Sequence, residues 1–365
     1  MPDSRPGRPL IIYSDEYLKL NFGDHHPFQP TRFKTTIELV KKYLIHETIP
    51  PVRLQPSILI KLNVHSKDYI NKVRRCSELV IPYLSEYSAD TPCFQEILDW
   101  GLTYCGGVIL GCDQVISGDY EVVFNVAGGF HHAKYNEDGG FCVFNDCALA
   151  LSYLVSKGLR PIYIDIDAHA GDGTYLILYD KPIPKISIHE DPRFLYPGRG
   201  FIHEMGAGEG YGYTLNIPLP PHSGDNDILS VFRDLVLPVI NIYSPNVIVF
   251  QCGVDGYFRD PLTHLSYTHR CYIEIAKLLR KLKLPLVLCP GGGYSNDAPL
   301  LHLLIIAYLS YQESRISDII KYLDENTPAE LYKAYNSHTD TLIQRITNMH
   351  PIFKIVDSKS FRQRV

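Results

Sequence analysis

The chain has 365 residues, 45% of them hydrophobic and 21% charged, with a net charge of −5. That composition excludes extended disorder and provides enough apolar surface for a large core. The mild acidity leaves no basic footprint, so direct nucleic-acid binding is not expected.

In chain order, β-type apolar runs are predicted at 10–13, 121–127, 161–166, 185–189, 246–252 and 284–289. Helical patterns fall near 31–46, 93–112, 144–157, 226–243, 267–282, 298–311 and 328–345. Strands alternating with helices predict one α/β domain over residues 1–365. Its sheet should be multi-stranded and mostly parallel, with helices on both faces and ligands at the strand carboxyl ends. Residues 190–224, rich in Gly, Pro, His and Tyr, read as long ordered loops around such a site. The polar stretch 354–365 is expected to fray. Met1 to Pro9 is polar and Pro-rich, with no secretory signal. The longest apolar run, Leu300 to Leu309, is far short of the ~20 residues of a membrane span. Nine cysteines lie scattered without paired zinc spacing. They read as buried, reduced thiols of a cytoplasmic protein, or of a nuclear one in a eukaryote.

Four segments carry chemistry. After the strand-like Val122-Val123-Phe124, Gly128 and Gly129 allow a tight turn and His131-His132 follow at once. Ligand histidines on one helix face sit four apart, so an adjacent pair suits acid/base work better. One imidazole can take a proton while its neighbour stays charged. Each needs an orienting carboxylate, and Asp165 and Asp172 are candidates. The second segment, Tyr163 to Gly173, begins as a buried strand and ends with three aspartates and a histidine. Side chains two apart on a strand share a face, so Asp165, Asp167 and His169 could converge there. Carboxylates plus imidazole suit zinc or iron(II); helix capping explains only one such aspartate. Third, Val247 to Gly256 repeats the layout with a single Asp255. It could complete an Asp/His/Asp set with an open position, or cap a helix. Fourth, Pro290-Gly291-Gly292-Gly293-Tyr294 follows a strand without the Lys-Ser/Thr of a phosphate loop. Its tyrosine can donate to a developing oxyanion.

These segments, as Gly-Gly-Phe-His-His-Ala, Gly-Phe-Cys-Val-Phe-Asn-Asp, Asp-Ile-Asp-Ala-His-Ala-Gly-Asp-Gly and Pro-Gly-Gly-Gly-Tyr, together resemble the zinc-dependent histone deacetylase family. Its relatives include the acetoin-utilisation deacetylases and acetylpolyamine amidohydrolases. The likeness covers roughly residues 10 to 310. Asn21 to Pro27 resembles the family's N-terminal Gly-x-x-His-Pro segment, and Tyr196-Pro197-Gly198 its aromatic-Pro-Gly loop.

The resemblance implies an arginase/deacetylase-like fold and a role for each matching residue. Asp167, His169 and Asp255 would hold Zn2+, or Fe2+ in its place. His131 and His132 would be the catalytic pair, oriented by Asp165 and Asp172, with His132 the general base. Tyr294 would stabilise the oxyanion as metal-activated water attacks the amide carbonyl. Phe141 and Tyr196 would flank an acyl-lysine channel, with Gly140 touching it and Leu262 on its wall. Asp90 would accept hydrogen bonds from the substrate backbone. A structural K+ near Asp165, Asp167, His169 and Ser187 is implied as well. Ala170, Leu195 and Arg199 depart from the family's usual residues, which touches substrate choice more than chemistry. The expected substrate is an acylated lysine in a protein or peptide. The alternatives are a small acetylated amine such as a polyamine, or a silent reader that binds acyl-lysine without cleaving it. No membrane partner is expected, and oligomeric state is not legible.

Overall fold

Strands that are buried without alternation reveal where the sheet lies. In the structure, a computed structural model that describes residues 7–85 and 89–354, every residue of β3 (Val122–Asn125), β4 (Pro161–Asp165), β7 (Val247–Gln251) and β8 (Leu286–Cys289) is buried. Successive strand side chains point to opposite faces, so these strands are covered on both sides. That is the habit of parallel sheets, and it explains their continuous Val/Ile/Leu character. With β1 (Leu10–Ile12), β2 (Glu47–Ile49), β5 (Lys185–Glu190) and β6 (Thr214–Leu219) they form one sheet, ordered β2-β1-β3-β8-β7-β4-β5-β6. Every neighbouring pair is parallel. Two groups of helices pack on it: Ile97–Ser117 with Asp146–Ser156, and Thr31–Tyr43 with Ala298–Leu309 and His269–Lys281.

This order decides where the chemistry falls. β3, β8, β7 and β4 are consecutive in the sheet although far apart in sequence. Being parallel, they release their chains at the same edge. The four segments singled out from the sequence therefore emerge side by side.

The structure departs from the sequence reading in several places. β6 lies inside residues 190–224, which were expected to be loop throughout. It carries Pro218, which cannot donate to a ladder; its place at the sheet's end makes that tolerable. The helix expected over 226–243 is interrupted. Asp225–Val231 and Leu237–Tyr243 flank a π-helical turn, Phe232–Val236, just before Pro238. A proline inside a helix removes a hydrogen bond, and the wider turn absorbs the mismatch. The pattern at 328–345 becomes a helix only from His338 to Met349. Helices Lys67–Ser77 and Ser317–Glu325 went unread. Beyond Lys354, the tail expected to fray lies outside the described residues. Among the described residues no helix is long and apolar enough to cross a membrane.

The cysteines need one correction. Cys76 and Cys93 are joined by a disulfide, while the other seven are free and buried. The bridge ties helix Lys67–Ser77 to the loop that carries Asp90. Spacing alone did not reveal it, because the partners are 17 residues apart and meet only through the tertiary fold. Thiol titration under denaturing, non-reducing conditions should find seven free cysteines. Cys93→Ser should lower unfolding stability by about 2–4 kcal/mol. A count of nine, with an unchanged denaturation midpoint, would remove the bridge.

Candidate active site

The site is built where β4 and β7 end. Their register sets Asp165 beside Gln251, and the chain beyond each strand turns inward. Asp167 and Asp255 are both buried, so their oxygens need partners. Asp167 accepts from the backbone N–H of His169 at 3.0 Å and of Gly292 at 2.7 Å, and from the Gln251 amide at 2.8 Å. Asp255 accepts from Ala168 N–H at 2.7 Å. His169 turns Nδ1 toward both carboxylates, 3.2 Å from Asp167 Oδ1 and 2.9 Å from Asp255 Oδ2. Gly292 is required here: a Cβ would land 2.2 Å from Asp255 Oδ2.

The histidine pair lies beside this cluster. His131 Nδ1 is 2.8 Å from Asp165 Oδ2, and His132 Nδ1 is 2.8 Å from Asp172 Oδ1. The two Nε2 atoms are 3.1 Å apart, and His131 Nε2 is 3.8 Å from Asp167. Asp165 is itself fixed by the Tyr163 hydroxyl at 2.8 Å and by Asp167 N–H at 3.1 Å. The loop carrying the pair is held from helix Asp146–Ser156. Asn145, its N-cap, donates to the carbonyls of His131 and Ala133. Asp146 accepts from Gly129 and Phe130 N–H.

Aromatic walls complete a pit. Tyr294 is half-buried, its N–H donating to Asp260 Oδ2 at 2.7 Å. Its ring centroid is 6.0 Å from Phe141 and 6.2 Å from Phe28. Tyr196 meets His132 edge-on at 5.0 Å. Gly140 sits between these two, where a Cβ would strike His132 at 2.3 Å and Tyr196 at 3.0 Å. Leu262 is half-buried nearby, its N–H on the same Asp260 that holds Tyr294. Asp90 lies on a separate loop, where the Thr91 hydroxyl donates to its carboxylate and its carbonyl is 3.2 Å from His26 Nε2. Ser187 pairs in register with Asp165, and its hydroxyl accepts from Gly171 N–H while lying 2.9 Å from His189.

The sequence reading missed several supporting residues: Gln251, Asp260, Asn145, Tyr163 and Arg32. Arg32 is half-buried and donates to Gly291 O at 2.6 Å. Gln251 alone left a signal, as a polar residue closing an otherwise apolar strand. The others acquire their roles from partners distant in sequence.

The protonation states are divided. Burial pulls the His131 imidazole down, but Asp165, Asp167 and Asp255 outweigh it and hold it up at about 9. Burial and the facing His131 charge push His132 down to about 4 against the pull of Asp172. Burial, reinforced by the Asp167 charge, pushes Asp255 up to about 8. Two buried carboxylates competing in this way are what a bound cation relieves. One ligand atom each from Asp167, His169 and Asp255 lies within 4.8 Å of the others. This donor set, two carboxylates and an imidazole, suits a divalent metal with an open position. Asp146, Cys147 and Cys289 also cluster. There, however, the Asp146 oxygens are taken by backbone N–H groups, and burial pushes the Cys147 thiol well up.

Known proteins resemble this chain in sequence and fold. The histone deacetylase domain model matches residues 26–301. The acetoin utilization protein AcuC of Bacillus subtilis is 36% identical over 299 residues, covering 78% of this chain and 77% of that one. AcuC of Staphylococcus xylosus is 36% identical over 302 residues, with the same coverage. The crystal structure of the HDA15 HD domain superposes with a TM-score of 0.80 at 21% identity, covering 98% of this chain and 99% of that one; at that identity the likeness establishes the fold. With the matched domain spanning most of the sheet and all four site-bearing segments, the chain belongs to the histone deacetylase family.

Proposed function

We propose that this deacetylase removes acetyl groups from lysine side chains of proteins or peptides, with zinc held by Asp167, His169 and Asp255. The divided histidine pair carries the reading. His131, its pKa held up by the carboxylates around it, and His132, pushed down by burial, face the same pit, each oriented by its own carboxylate. A zinc ion bound there would polarise the amide carbonyl and lower the pKa of water, to about 7 in favourable sites; iron(II) suits the same donors.

The protein's own groups then have separate tasks. An amide is a weak electrophile with a poor leaving group, so proton delivery matters as much as attack. Water's oxygen joins the carbonyl carbon, the carbon–nitrogen bond breaks, and water's proton must reach the departing amine. His132 is neutral and is the base that takes that proton, then returns it to the amine. His131, its Nδ1 held by Asp165, stands beside the negative charge that builds up. Asp172 fixes the His132 tautomer through Nδ1, leaving Nε2 free for the reaction. The Tyr294 hydroxyl is the donor for the developing oxyanion, and burial with Asp255 and Asp167 holds that phenol well above its usual value, hence protonated. Phe141 and Tyr196 suit the apolar stem of lysine, with Gly140 leaving room between them and Leu262 on the wall. Asp90 at the rim is suited to accept the substrate's backbone N–H.

Acetate release should be faster from an acetyl-lysine peptide than from acetylated polyamines, and a chelator should abolish it. A polyamine preference would overturn the substrate. Peptide binding without any release, unaffected by chelator, would instead mark a silent reader.

Three variants divide the roles. Asp255→Ala should lose metal, measured by elemental analysis, together with activity; retention of both would remove it from the ligand set. His132→Ala should keep metal yet lose turnover, because the lesion removes proton transfer and not ligation. Near-normal rates would show that another group is the base. Tyr294→Phe keeps the ring and removes one oxygen. We expect kcat to fall on the order of a hundredfold with KM little changed, since the contact strengthens only in the transition state. Normal turnover would make Tyr294 a packing residue.

A further inference from the structure

The pit encloses a very small cavity. Its volume is about 20 Å³, room for roughly one water-sized group. It is lined by His131, His132, Asp167 and Tyr294 together with the apolar Phe28, Phe130, Phe141 and Cys142. The reacting groups all converge on this space. Acyl carbons on a carbonyl held among them must fit within the remaining apolar lining, of which Phe130 is part.

Phe130 cannot yield easily. It is 3% exposed, and its N–H is held by Asp146 at 2.8 Å. Its ring lies 4.3 Å from Tyr104, 5.2 Å from Trp100 and 5.7 Å from Phe28, centroid to centroid. Those neighbours are anchored in turn: the Tyr104 hydroxyl donates to Phe144 O at 2.8 Å, and Trp100 Nε1 donates to Tyr17 O at 3.1 Å. A ring wedged among buried aromatics moves only if the whole group repacks.

We infer that Phe130 sets the length of the acyl group: its fixed ring admits the methyl of acetyl and rejects butyryl and longer chains. This deepens the deacylase reading and rests on it. Misfit of a single methylene in a tight apolar pocket is worth roughly 10–200-fold in kcat/KM. The wild-type protein should therefore favour acetyl over butyryl, two methylenes longer, by on the order of a hundredfold or more.

The test uses acetyl, propionyl, butyryl and hexanoyl groups on one lysine peptide. Phe130→Ala should narrow the acetyl-to-butyryl ratio at least about tenfold, chiefly by raising butyryl turnover. Phe130→Leu, which keeps most of the apolar volume, should fall between and serves if the alanine variant does not fold. The same peptides should also be titrated calorimetrically against Tyr294→Phe protein, with and without Phe130→Ala, so that discrimination is read from binding without turnover. Equal wild-type use of acetyl and butyryl would overturn the inference. So would an unchanged ratio in both variants with metal content intact. Absence of turnover on every peptide would instead sink the deacylase reading, and the binding series would still judge the gate.

Discussion

Two aspartates buried side by side are the constraint on which the rest of the molecule turns. Asp167 and Asp255 have almost no contact with solvent, and like charges in a poorly polarisable interior repel strongly. The chain answers with donors at every available oxygen: backbone N–H groups from 168, 169 and 292, the Gln251 amide and the His169 imidazole. Those donors come from the carboxyl end of β7 and from the loops after β4 and β8. The parallel sheet that brings these strand ends together is thus a requirement of the site as well as its scaffold. Breaking one contact leaves a buried charge short of a partner, a far larger penalty than the net worth of an ordinary hydrogen bond.

The same field gives two adjacent, chemically identical residues different characters. His131 faces the carboxylate cluster, and His132 faces His131 and a single aspartate. One is held charged, the other neutral. No sequence change between them is involved; the difference comes from which groups surround each ring. The carboxylates on Nδ1 also direct both Nε2 atoms toward the pit, so orientation and charge are set by one device.

Around this charged centre the protein places apolar rings. Phe28, Phe130, Phe141, Tyr196 and Tyr294 exclude water from the pit, and exclusion of water strengthens each electrostatic contact inside it. Glycine works with them, since at 140 and 292 any side chain would collide with His132 or Asp255. Charge, ring and glycine therefore constrain one another. That interdependence explains why the four site-bearing motifs read so distinctly in the sequence.

The sequence by itself determined the buried strands, the order of elements and the identity of the groups at the strand ends. Six strands were legible because central parallel strands must be apolar on both faces. The strand Glu47–Ile49 was not, being three residues long and without a pattern to detect. The edge strand Thr214–Leu219 was hidden by Pro218, which only an edge position permits. Asp165, Asp167, His169 and Asp172 stood out because four such residues within eight exceed what capping needs. The Cys76–Cys93 bridge, the Gln251 and Asp260 braces and the aromatic floor under Phe130 were decided only by the tertiary structure. Each joins residues from different strands, loops or helices, and the Gln251 and Asp260 braces meet their partners because β8, β7 and β4 are neighbours in the sheet. Local sequence fixes what a residue can donate, accept or fill. Which partner it meets is set by long-range packing, because side-chain chemistry is local and contact is not.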